Sequence, residues 1–233
     1  MSHEAQTQAW IDAVLKDVRQ VMNSPWLAQE AVTANSQLSI TSHDTTGPNF
    51  IAAASLLIAV ESVARLASGL EEGTAAATEF LKSEFPREYS DVAHVVWTLF
   101  RHGHIHNFLP QEVTLANVVV RGRVMWIMPS PQVDQLAANL SQDRAAVLSA
   151  LPDGHLDFTI TGTDEYLFNF YPQIAYVDLV AAVASWRAKL ASDPTTRARF
   201  AHGMHVVERM RQLTPSLQGP IAGVLRSKGM IPK

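Results

Sequence analysis

The segment 50–68, FIAAASLLIAVESVARLAS, constrains the fold of this chain more than any other stretch. It is apolar nearly all round a helix, and only Glu61 and Arg65 carry charge. A helix of this kind is buried at the centre of a bundle, because each of its faces needs a covering element. Its uncharged run, 50–60, is too short to cross a bilayer. The pattern therefore predicts the core helix of a soluble, helical protein without a membrane span.

Three further helices are expected around this core helix in the first half of the chain. Residues 4–22 are amphipathic, and their apolar stripe is Trp10, Val14, Val18 and Val21. The other two helices span 75–84, with Thr74 as the expected N-cap, and about 89–107. A polar loop over 33–49 precedes the core helix, and Asn49 is its expected N-cap.

The pattern changes to β-rich after residue 112. Residues 113–120 and 123–128 predict a hairpin joined through Arg121 and Gly122. Later segments predict two more strands (155–161 and 165–171) and three more helices (132–150, 174–191 and a last one from Asp193-Pro194 to about Leu213). The expected fold class is mostly α (α+β): a helical bundle over 1–112, a small antiparallel β-rich insertion over 113–172, and C-terminal helices and a tail over 173–233 that pack on the bundle.

Charge and cysteine content narrow the chemistry that this chain can carry out. No cysteine is present, which removes disulfides, thiolate nucleophiles and cysteine-ligated zinc. The net charge is −4, but the segment from Arg187 onward has nine basic and two acidic residues, whereas the part before Arg187 has nine basic and twenty acidic ones. This basic end meets nucleic acid, packs on the acidic body of the same protein, or simply faces water. The start of the chain has no secretory signal pattern, so a cytoplasmic location is expected.

Motifs for phosphate loops, activated serines and nucleotide cofactors are absent, so no cofactor is expected. The remaining candidate chemistry lies in FRHGHIHNF, residues 100–108, which holds Arg101, His102, His104 and His106. On a strand the three histidines would share one side and could hold a metal, but the segment continues a helical pattern. At a helix end, Arg and His also interact favourably with the last carbonyls, which requires no function.

RHGHIH resembles the Arg-x(4–6)-His signature of HEPN (higher eukaryote and prokaryote nucleotide-binding) domains. The resemblance extends over residues 50–110 through ESVARLASG and EFLKSEFPREYSDVAHVVWTLFRHGHIHNFLP, and it leaves out the β-rich segment and the basic end. It implies an all-helical bundle, often a homodimer with the motif at the interface. Active members are metal-independent ribonucleases of toxin or defence systems, whereas other members only bind or assemble.

The resemblance implies a role for each residue of the motif. Arg101 would bind the phosphate, His106 would be the general base, and His102 would orient the substrate or a partner. Five positions along an α-helix turn through about 140°, so Arg101 and His106 do not share a face, and His104 remains a rival for the base. Glu61 either pairs locally with Arg65 or is a buried carboxylate that orients Arg101 or a histidine.

The resemblance also predicts what this protein binds. RNA or a nucleotide is the expected ligand, and an antitoxin or another protein is a possible partner. A homodimer is expected, since the resemblance implies one and Gly103 permits close approach of a second chain at the end of the motif helix. A catalytically silent HEPN-like binding protein is the first alternative, and a histidine-based metal protein is the second.

Overall fold

The computed structural model describes residues 2–24, 49–102, 112–127 and 132–212. Within them the protein is mostly helical, as predicted, with seven α-helices and one four-stranded sheet. A 3₁₀ turn (Arg87–Tyr89) precedes α4, and a π-helical turn (Trp97–His102) continues it. The helices are α1 His3–Met22, α2 Asn49–Ser68, α3 Gly73–Glu84, α4 Ala93–Val96, α5 Val133–Ser149, α6 Pro172–Ser192 and α7 Pro194–Gln212, and the strands are β1 Glu112–Leu115, β2 Val118–Val124, β3 Phe158–Ile160 and β4 Glu165–Phe170.

Helix α2 lies at the centre of the helical part, because α1, α3, α6 and α7 all pack against it. Its side chains Leu56, Leu57 and Val63 are almost completely buried, which confirms the core helix. One side of α2 nevertheless stays open, with Ile51 48% and Ile58 51% exposed. The stretch Ile51–Ser68 has the length and composition of a membrane span, and half of it is buried, as in the core helix of a soluble protein.

The sheet corrects the prediction of an antiparallel insertion. Its strand order is β1-β2-β4-β3, and the central pair β2–β4 is parallel, with Val120 opposite Tyr166. The predicted hairpin exists, but its turn lies at Ala116, which adopts a left-handed φ of 55°. Arg121 and Gly122 lie inside β2 instead. The prediction of a turn at Gly122 was wrong, because Gly122 pairs with Phe168 of the distant strand β4 and is therefore extended.

The sheet packs on the helices through aromatic side chains. The ring of Phe100, in the π-helical turn, stacks on Phe170 at 4.9 Å and lies 6.1 Å from Phe168. These rings belong to a hydrophobic cluster that also contains buried residues of α1, α2, α3, α6 and α7. The helix that carries Arg101 is therefore held between α2 and the sheet.

Helix starts show where local sequence signals were read correctly. Asp193 caps α7 as predicted, accepting hydrogen bonds from the backbone N–H of Thr195 and Thr196, both at 3.0 Å. The predicted Thr74 cap of α3 is wrong, because Glu72 accepts from the backbone N–H of Thr74 and Ala75. Glu72 has two carboxylate oxygens, so it satisfies two of the free N–H groups of the first turn.

Of the four residues predicted to form the buried stripe of α1, one is buried. Ile11, Val18 and Met22 are buried, whereas Trp10 is 36% exposed. Val18 was predicted correctly, but the buried stripe runs through Ile11 and not through its neighbour Trp10. The indole ring of Trp10 is left beside a cleft between α1 and α7.

The basic end of the chain packs on the acidic body as far as the structure describes it. On α7, Arg199 lies 3.6 Å from Glu79 of α3, and Arg209 forms an ion pair with Glu71. Arg197 donates to the carbonyl oxygens of Leu190 and Ala191. Arg187 and Lys189 form further ion pairs with acidic side chains of the body. Five basic residues of this end thus contact this protein itself, and residues 213–233 lie outside the described part of the chain.

Candidate functional site

Arg101 and Glu61 meet although 40 residues separate them in the chain. Arg101 Nε donates to Glu61 Oε2 at 2.9 Å, and its Nη2 lies 2.8 Å from the same oxygen. The pair is partly buried, with side-chain exposures of 20% for Arg101 and 15% for Glu61. Among the described residues, none bonds Nη1 of Arg101, so this nitrogen can donate to a ligand.

The other oxygen of Glu61 is held by Arg65. Arg65 Nη2 donates to Glu61 Oε1 at 2.8 Å, so Glu61 pairs with Arg65 and with Arg101 at the same time. Burial alone would raise the pKa of Glu61, but hydrogen bonds from Arg65 and Arg101 and their positive charges lower its pKa overall. Two guanidinium groups share one ionised carboxylate, which leaves a net positive charge at the protein surface.

The start of α3 makes room for this cluster. A Cβ at Gly73 would collide with Glu61 Oε1 and with the guanidinium of Arg65. Arg65 also donates from Nη1 to the carbonyl oxygen of Glu71, just before α3. Glycine at position 73 is therefore needed for the close approach of α3 to the carboxylate.

Arg101 lies in a π-helical turn, where hydrogen bonds join residues five apart. The prediction that Arg101 and His106 point to different faces assumed regular α-helical geometry up to about residue 107. That assumption fails over Trp97–His102, so the angular separation expected for an α-helix does not apply to this stretch. Single π-turns inside helices occur frequently at functional sites, which is consistent with a role for Arg101.

The histidines of the motif lie mostly beyond the described residues. The backbone of His102 ends the π-helical turn, while His104, His106 and Gly103 fall in 103–111, outside the described part. The structure therefore brings Arg101 and Glu61 together and says nothing of the three histidine side chains. Among the residues that are described, no group of three His, Asp or Glu side chains could hold a metal ion.

A buried polar chain that sequence reasoning missed lies between the sheet and α6. The backbone N–H of Tyr171 donates to His155 Nδ1 at 3.2 Å, so the ring proton of His155 lies on Nε2. His155 Nε2 then donates to the Tyr89 hydroxyl at 2.9 Å, and this hydroxyl donates to Asp178 Oδ2 at 2.9 Å. Each polar group in this hydrogen-bonded network has a partner. The network therefore joins the 3₁₀ turn at Tyr89, the loop at His155 and helix α6.

Burial governs the protonation of these groups. Desolvation, with the charge of Arg144 as a second cause, lowers the pKa of His155 to about 3. Burial and the nearby carboxylate of Asp178 raise the pKa of Tyr89 well above its usual value. Desolvation also raises the pKa of Asp178 against the opposing hydrogen bonds from Arg144. His155 is therefore a neutral imidazole at physiological pH and does not act as a general acid there.

Arg144 connects this network to the surface. It donates to both oxygens of Asp178, at 2.7 and 2.8 Å, and to Glu88 at 2.7 Å. Helix α5 is kinked at Asp143, whose Oδ1 accepts from the backbone N–H of Ala146 and so begins a new helical turn. No local pattern marks these residues, because their partners lie tens of positions away.

Comparisons with known proteins leave the family open. No family model matches the chain, and no significant match to a curated protein or to a solved structure was found.

Proposed function

We propose that this chain is a HEPN-like, metal-independent endoribonuclease that acts as a homodimer, with Arg101 binding the scissile phosphate. The proposal rests on the Glu61–Arg101 pair. Glu61 holds the guanidinium through its Nε and Nη2 atoms, and no described residue bonds Nη1. A guanidinium held in one orientation stabilises the negative charge that develops on phosphate oxygens, without reorganising during the reaction. Glu61 is a positioning residue in this proposal.

The proposed reaction needs one base and one cation. The 2′-oxygen of the ribose forms a bond to phosphorus while the bond from phosphorus to the 5′-oxygen breaks. The 2′-hydroxyl proton passes to His106 as base, with His104 as the rival, and the 5′-oxygen takes a proton from solvent. The products are a 2′,3′-cyclic phosphate and a 5′-hydroxyl, and His102 would orient the substrate or a partner.

The open side of α2 supports the dimer. Ile51 and Ile58 are about half exposed and lie on the same side of the helix as Glu61 and Arg65. An exposed apolar stripe beside the Arg101 site is a suitable contact surface for a second copy. Within this proposal we expect a cytoplasmic location and an antitoxin or other protein partner that restrains the activity.

RNA cleavage in EDTA tests the proposal. We expect wild-type protein to leave 2′,3′-cyclic ends, and Arg101→Ala to lower kcat/KM on the order of a hundredfold or more through lost charge stabilisation. His106→Ala should cost about as much, through loss of the base, and His104→Ala much less. Arg87→Ala removes another, exposed arginine and is the matched control that should leave the rate unchanged.

Glu61→Gln separates positioning from folding in the same assay. Gln keeps the shape and an acceptor oxygen but loses the charge, so kcat should fall while KM for RNA changes little. The reverse split would show that Glu61 does not hold Arg101 for the reaction. Sensitivity of His104 in place of His106 would reassign the base.

The catalytically silent HEPN-like protein is the second candidate, and one observation favours it. Glu61 neutralises part of the charge of Arg101, and the part of the chain before Arg187 carries a net charge of −11, from nine basic and twenty acidic side chains. Both features weaken attraction for RNA. Equal inactivity of wild-type, Arg101→Ala and His106→Ala proteins on varied RNAs would establish the silent alternative.

A further inference from the structure

A second candidate site lies away from Arg101, in a cleft of about 320 Å³ between α1 and α7. Both helices pack on α2, and the buried Leu66 of α2 forms the floor of the cleft. The walls touch where the Thr7 hydroxyl approaches Met204 Sδ at 3.7 Å. The volume falls within the range of small-ligand sites and is large enough for a single flat ring system.

Trp10 makes one wall of this cleft aromatic. The hydrophobic pattern of α1 predicts Trp10 in the core, yet 36% of its surface is open and borders the cleft. Met204 and Val207 of α7, both partly buried, contribute apolar surface to the lining. An indole ring with apolar neighbours favours a planar, unsaturated ligand, because stacking buries one face of the indole and one face of the ligand.

Polar groups in the lining select among planar ligands. Glu208 contributes a carboxylate from α7 and Gln6 an amide from α1. The described part of the chain offers neither side chain a hydrogen-bond or ion-pair partner. A carboxylate presents two adjacent acceptors and is therefore matched by two adjacent N–H donors.

Among the nucleobases, guanine alone has two adjacent donors, N1–H and the N2 amino group, on its pairing edge. Uracil has one donor between two acceptors, and adenine and cytosine each place an acceptor beside their amino group. We propose that this cleft binds a guanine base, with Trp10 stacking on the ring and Glu208 accepting from its two donors. The proposal does not depend on cleavage at Arg101.

Titration calorimetry of the full-length protein with GMP, AMP, CMP and UMP tests the site. We expect GMP to bind more tightly than the other three nucleotides, which carry the same ribose phosphate and differ only in the base. Trp10→Ala should weaken GMP binding by roughly fivefold or more, as the loss of one stacked base does. Trp10→Phe should retain most of the affinity, because a smaller ring still stacks.

Two glutamate variants test how the base is recognised. Glu208→Gln should remove most of the preference for GMP over AMP, roughly tenfold. Glu4→Gln, an exposed position of α1 outside the lining, is the matched control and should change nothing. Short single-stranded RNAs with and without guanine then show whether the site takes a base within a strand or only a free nucleotide.

Several outcomes would overturn the proposal. Absence of GMP binding at millimolar concentration, equal binding of all four nucleotides, or an unchanged affinity in Trp10→Ala would each do so. The preference for GMP over AMP should be the same in Arg101→Ala as in the wild-type protein, because the two nucleotides carry the same phosphate. GMP binding by a protein that never cleaves RNA would leave this site standing and refute the proposed ribonuclease, and cleavage without GMP binding would do the reverse.

Discussion

At the scale of single residues, burial decides which charges this protein can tolerate. Glu61 stays ionised in a partly buried position because two arginines bond it, and burial keeps His155 neutral, with its pKa lowered to about 3. The Tyr89 hydroxyl accepts from His155 and donates to Asp178, so a buried carboxylate and a neutral histidine coexist. The protonation pattern thus follows from the hydrogen-bond directions and from desolvation together.

His155 makes the stability of the protein sensitive to acid. Between its ordinary pKa of 6.5 and its folded pKa of about 3, the unfolded chain binds a proton that the folded protein does not. Stability is therefore lost as the pH falls through this window, by up to about 1.4 kcal/mol per pH unit from this group. His155→Gln should be less stable than wild type at pH 7.5, and this difference should shrink toward pH 4 in urea unfolding.

The control for this prediction is His94→Gln, which changes an exposed histidine. Its curve of unfolding free energy against pH should run parallel to that of the wild-type protein. Parallel curves for His155→Gln as well would show that His155 is not held neutral by the fold.

At the scale of the elements, the contact between α2 and α7 is close because of one glycine. A Cβ at Gly203 would lie 2.5 Å from the carbonyl oxygen of Leu66 and 2.7 Å from that of Arg65. Both are backbone atoms of α2, so they cannot rotate away as a side chain would. Helix α7, which bonds Glu71 through Arg209 and contacts Arg65 through Met210, can reach this position only with glycine at 203.

Gly203→Ala should therefore destabilise the protein although alanine favours a helix. Alanine gains about 1 kcal/mol in helix propensity over glycine. Displacing α7 from α2 costs roughly 1–3 kcal/mol or more, so we expect a net loss of unfolding free energy in urea titrations. Gly162→Ala, where the new Cβ would meet side-chain atoms at ordinary distances of 3.6 Å and beyond, is the control. A more stable Gly203→Ala protein would contradict the close packing.

The elements that sequence patterns predicted correctly are those with local causes. The apolar segment of α2 and the Asp193 cap of α7 need only neighbouring residues to specify them. The parallel pairing of β2 with β4 and the meeting of Glu61 with Arg101 depend on contacts between segments far apart in the chain. Periodicity carries no information on such pairings, so the sheet topology and the site geometry required the structure.

At the scale of the whole molecule, charge is balanced internally. The basic helix α7 packs on an acidic body through Arg199 and Arg209, which removes much of the apparent electrostatic attraction for nucleic acid. Attraction for RNA would then depend on local groups, such as the two arginines around Glu61. Among the described residues, Ile51 and Ile58 form an exposed apolar stripe on α2 next to these arginines.

The homodimer proposed above predicts a mass of twice the 25.6 kDa of one chain by light scattering at tens of micromolar protein. Ile58→Glu should shift the protein to the monomer, because a buried, unpaired carboxylate opposes the contact, while the exposed position in the monomer tolerates it. Val180→Glu, a similarly exposed apolar position on α6, should remain dimeric.

If the dimer completes the Arg101 site, the Ile58→Glu monomer should also lose RNA cleavage, and its activity should return as rising protein concentration restores the dimer. A wild-type monomer at these concentrations, or dissociation by Val180→Glu alone, would place the subunit contact elsewhere or remove it.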